Sequence, residues 1–76
     1  MKATLSKQLH ERAIAIIKII EKAELRIKGQ QEMAQIMEKN GFDYSINVKR
    51  IVAHRAAIER LEKAYIETIN RINKAI

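Results

Sequence analysis

The chain has no cysteine, no proline and no tryptophan, and only two glycines, two tyrosines and one phenylalanine among its 76 residues. Each scarcity excludes something. Without cysteine there is neither a disulfide framework nor a thiolate metal site, an inventory that suits a reducing compartment. Without proline, nothing forces a break inside a helix. Three aromatics offer little to stack on unpaired bases. No glycine-rich phosphate loop, nucleophile elbow or zinc-ligand spacing occurs, so the expectation is a protein that is not an enzyme and carries no cofactor or metal. The longest apolar run, Ala13 to Ile20, is interrupted by Lys18 and falls short of the ~20 residues that span a bilayer. Gln8, His10, Glu11 and Arg12 precede that run and do not read as a secretory leader. We therefore expect a cytoplasmic protein with no membrane partner.

What is present is 47% apolar and 32% charged, organised about one punctuation mark, Asn40-Gly41-Phe42-Asp43. Gly41 suits the left-handed position after a helix C-cap at Asn40, which places Phe42 and Met37 at the two ends of a Schellman closure. The Asp43 carboxylate is suited to cap a following helix. The expected fold is all-α: a single domain over residues 1–76, a helix over about 3–40, a turn at 40–43 and a helix over about 44–75, folded as a long antiparallel hairpin.

In the first arm Ala13, Ile16, Ile20, Ala23, Ile27, Gln30, Ala34 and Met37 follow one another in alternating steps of three and four, and Leu9 extends the series backwards. That is the seam of a helix packed lengthwise on another. In the second arm Tyr44, Ile51, Ile58, Tyr65 and Ile72 recur at sevens, widened by Val48, Ile69 and Ile76, beside a flatter face of Ala53, Ala57, Leu61, Ala64 and Ala75. Folding the arms back symmetrically about the turn sets residues opposite one another when their numbers add to about 83 or 84. Met33 then meets Ile51, Ile36 meets Val48, Leu25 meets Ile58, Ala23 meets Leu61 and Ala13 meets Ile72. His54 falls beside Gly29 or Gln30, so Gly29 should accept small residues and reject bulk.

Ile14, Ile17 and Ile19 add apolar surface outside the first seam, and one hairpin contact hides a single stripe of each arm. The expectation is a homodimer, two hairpins forming a four-helix bundle, with Ile14, Ile16, Ile17, Ile20, Ile58, Leu61, Tyr65, Ile69 and Ile72 supplying core and dimer contacts. Glu21 and Glu24 come opposite Glu59 and Glu62, but a bundle di-metal site needs inward carboxylates with a Glu-x-x-His pair. Pairing with Lys28, Arg55 and Lys63 is the expected role of these acids. His10 and His54 lie too far apart along the rod to share a ligand. The net charge of +6 is spread, with acids interleaved, and its densest spot, Lys49, Arg50 and Arg55, is the candidate nucleic-acid contact. The function expected from all this is a non-catalytic protein–protein interaction or assembly module that pairs with itself and docks on another protein. The alternative is a small basic nucleic-acid-binding accessory or regulatory protein.

Overall fold

A computed structural model of the chain describes residues 2–75, with side chains from 4 to 74. It contains two helices, α1 (Lys2–Lys39) and α2 (Ser45–Ala75), packed against each other as a hairpin. The rod measures 59 × 14 × 12 Å, close to the ~57 Å that α1 spans at 1.5 Å per residue. α1 runs through Gly29 without interruption.

The turn is closed as its residues dictate. The Phe42 N–H donates to the Met37 carbonyl at 2.8 Å and the Gly41 N–H to the Glu38 carbonyl at 3.1 Å, the two bonds of a Schellman ending. Gly41 carries the required positive φ of 74°. Asn40 adds a side-chain bond from Nδ2 to the Ile36 carbonyl at 2.7 Å. On the far side Asp43 Oδ1 accepts the Ser45 N–H at 3.0 Å, and the Tyr44 carbonyl takes the first α2 bond, from Val48 N–H at 3.2 Å.

The buried or half-buried positions of α1 are those of the expected seam, from Leu9 to Met37, and Ser6 before it. On α2 the seam is Asn47, Ile51, His54, Ile58, Leu61, Tyr65, Thr68 and Ile72, again in alternating steps of four and three, with Ala57, Ala64 and Ile69 half-buried beside it. This corrects the second-arm expectation: Tyr44 and Val48 are exposed, and Asn47 and Thr68, at 6% and 3% exposure, are buried in their place. Ala53 is also exposed, Ala57 and Ala64 are half-buried, and Ile76 and the Ala75 side chain lie outside the described residues.

The symmetric fold-back does not hold either. Leu25, Met33 and Ile36, each expected opposite a seam residue, are exposed, Leu25 at 68%. An antiparallel pair sets the first seam row of one helix against the second row of the other. Matching the seam rows on that rule, with Leu5 and Leu9 beside Arg71 and Lys74 at the open end, would set Leu9 opposite Ile72, Ala13 opposite Thr68, Ile16 opposite Tyr65, Ala23 opposite Ile58 and Ile27 opposite His54. Relative to the symmetric hairpin this is a slip of about two or three residues, and it sets alanines against larger partners. One polar bond crosses between neighbouring layers: Asn47 Nδ2 donates to Gln30 Oε1 at 2.8 Å. Buried Thr68 satisfies its hydroxyl locally, on the Ala64 carbonyl at 2.7 Å.

Gly29 is exposed, and a Cβ added there meets nothing within 4 Å. The expectation that His54 fills the space beside it is overturned, because that space is open. Gly29→Ala should therefore raise stability by up to ~1 kcal/mol through helix propensity alone. Gly41→Ala should lower it by a similar ~1–2 kcal/mol, since the left-handed φ opposes any Cβ. Urea unfolding of the two variants checks the opposite signs. In the seam, Asn47→Ala leaves the half-buried Gln30 amide without its partner, a loss of ~1–3 kcal/mol. Adding Gln30→Leu to Asn47→Leu should recover most of it, and a double-mutant cycle measures the coupling.

Candidate interaction surfaces

The seam divides the outside of the rod. Residues flank it at two heptad positions, called e and g, with b and c beyond them and f on the outer ridge. Because antiparallel helices are related by an axis perpendicular to the rod, the e residues of α1 lie beside the e residues of α2, and g beside g. The open-end cleft, about 330 Å³, shows this directly: it brings Leu5 of the α1 g row next to Arg71 of the α2 g row, with Lys74 beyond.

The e/b flank reads, from the turn outward, as an exposed carboxylate (Glu38), a valine pair (Val48, Val52), two cations (Lys28, Arg55), four carboxylates (Glu24, Glu59, Glu21, Glu62), an isoleucine group (Ile17, Ile66, Ile14, Ile69) and a lysine (Lys7). The Glu quartet falls at flank positions with all four side chains exposed. Among the described residues no group of His, Cys, Asp and Glu is spaced to hold a metal ion. Of the expected core and dimer residues, Ile16, Ile58 and Ile72 are buried. Ile20, Leu61, Tyr65 and Ile69 are half-buried, and Ile14 and Ile17 are exposed.

The g/c flank is different in kind. It carries Arg12, Arg26, Arg50, Arg60 and Arg71, five of the six arginines, together with Lys22 and Lys74, against one acid, Glu67. All are exposed. Eight basic and eight acidic residues remain for the rest of the chain, so this flank accounts for the whole net charge of +6. The expected even spread of charge is thereby corrected. Lys49, Arg50 and Arg55, although exposed, fall on the ridge, the g/c flank and the e/b flank respectively, and do not form one contact.

The histidines stand apart. His54 is half-buried in the seam, and exposed His10 donates from Nδ1 to the Ser6 carbonyl at 2.7 Å, one turn back on its own helix. No helix is long and apolar enough to cross a membrane among the described residues. No protein-family model matches the chain, and no curated protein or solved structure is significantly similar to it.

At the turn the Asp43 carboxyl is held below the ordinary aspartate range, first by the Ser45 backbone N–H and then by the Ser45 hydroxyl, with burial opposing only slightly. A carboxyl whose folded pKa is lowered stabilises the fold above the unfolded value, near pH ~4, and that contribution is lost as pH falls through the lowered native value. Its exposure keeps the effect small. Asp43→Asn should keep the acceptor and remove this acid-side loss, whereas Asp43→Ala should lower the thermal midpoint even at neutral pH. Thermal melts from about pH 2 to 7 distinguish the two.

Proposed function

We propose that the chain is a non-catalytic assembly module whose working form is a homodimer, two hairpins packed through their e/b flanks as a four-helix bundle. The observation that carries this reading is the balance of burial. Among the described residues six apolar side chains form the core, two of them alanines, and thirteen large apolar side chains are exposed, of which Ile14, Ile17, Val48, Val52 and Ile66 lie on the e/b flank. A second copy is the partner that the charge pattern fits. Between Glu38 at the turn end and Lys7 at the open end the e/b flank reads apolar, positive, negative, apolar, so a copy laid antiparallel sets Lys28 and Arg55 against Glu21 and Glu62, Val48 and Val52 against Ile17 and Ile66, and the Glu38 end against the Lys7 end. Each pairing occurs twice, as a two-fold interface requires. Pairing through the g/c flank instead opposes seven cations to seven more.

Burying such a strip at ~25 cal/mol per Å² matters in a domain whose whole margin is ~5–15 kcal/mol, so folding and pairing should be coupled. The thermal midpoint should rise with protein concentration, and sedimentation should give twice the chain mass. Ile17→Glu on the e/b flank should abolish the dimer, while Ile19→Glu on the g/c flank should leave it intact. Reversing Lys28 and Arg55 to Glu should weaken the dimer, and adding Glu21→Lys and Glu62→Lys should restore it. A compact monomer with a concentration-independent midpoint contradicts the proposal.

A further inference from the structure

We infer that the g/c flank is a binding surface for the phosphate backbone of a nucleic-acid duplex. Four observations converge on it. The first is the segregation of charge: the flank has seven cations to one anion, and everything outside it sums to neutrality. Chance placement of solubilising charge has no reason to leave the remainder of the chain balanced.

The second is the type of cation. Arginine presents a planar fork that grips phosphate through two N–H groups, where lysine offers a point charge. Five of six arginines stand here, while Lys7, Lys18, Lys28, Lys39, Lys49 and Lys63 lie elsewhere. The third is shape. From Arg50 to Lys74 the flank is about 36 Å long, enough to face roughly ten base pairs at ~3.4 Å of axis per phosphate on a strand. Its cations come from both helices, with Lys22, Arg26, Arg50 and Arg60 toward the turn and Arg12, Arg71 and Lys74 at the open end. Between the charges the surface carries the small residues Ala15, Ala53, Ala57 and Ala64 together with exposed Leu5, Ile19, Met33, Ile36 and Ile46.

The fourth observation selects duplex over single strand. Unpaired bases are held by stacking on aromatic side chains, and this flank has none: Phe42 and Tyr44 are at the turn and Tyr65 is in the seam. What is left is recognition of regular phosphates without reading sequence. The inference goes beyond the assembly reading and does not require it, because the flank is complete on one hairpin and stays exposed when e/b flanks pair.

The test is fluorescence anisotropy with mixed-sequence 30-base-pair DNA and RNA duplexes over a salt series, using three variants checked for retained helicity. R12Q/R26Q/R60Q removes three charges from the flank, K18Q/K49Q/K63Q removes three from the outer ridge, and R12K/R26K/R60K keeps the charge but loses the fork. Wild type should bind a duplex with steep salt dependence. The flank variant should lose at least ~10-fold in affinity and shallow the log–log salt slope by about three, the ridge variant should change by less than about three-fold, and the lysine variant should fall between them. Equal losses in the flank and ridge variants overturn the inference by showing diffuse attraction. It is likewise overturned by no duplex binding at low salt, or by tighter binding to the matching single strands or to anionic phospholipid vesicles.

Discussion

Everything in this hairpin depends on one narrow seam. Two helices that touch along a single line bury few large side chains, and here no described side chain falls below 2% exposure. Apolar burial of that kind is non-directional and rewards several registers almost equally. The Gln30–Asn47 bond is different, because a half-buried amide pair is satisfied in one register only and each alternative strands a polar group. A polar pair in a seam is a recognised device for fixing register at some cost in stability. In this chain it sits near the turn, where a slip would otherwise be absorbed by the loop.

The register then determines the outside. Charges that look evenly scattered along the chain separate into an arginine-rich flank and a mixed, self-complementary flank only when the seam of each helix is known. Both surfaces are products of the same phase choice, so a shift of one residue would rotate arginines toward the acids and dissolve the distinction. Stability and surface chemistry are coupled in this way with no catalytic group involved.

Much of the fold was legible in the residues. The first seam, unbroken from Leu9 to Met37, and the Asn40-Gly41 closure follow from spacing and backbone preference alone. The second seam was half legible. One of its rows is polar or titratable at Asn47, His54 and Thr68, so an apolar pattern search slides to Val48 and Ile69 instead, while Tyr44 shares the Ile51 row but precedes α2. Fold-back about the turn misplaced Leu25 and Met33 for a related reason: symmetry about a loop ignores how seam rows interleave, and both look like core in sequence while lying outside the seam in phase. The flanks were not legible at all until both seams were fixed. Asn47 could have been found, since it completes the four–three series that runs through Ile51, His54 and Ile58.

The measurement that tests this account most directly is a methyl–methyl nuclear Overhauser map of the seam. Cross-peaks between Ile58 and Ala23 and between Ile72 and Leu9 are the predicted result. Cross-peaks joining Ile58 to Leu25 and Ile72 to Ala13 in their place would contradict the register, and with it the division of the surface into two unlike flanks.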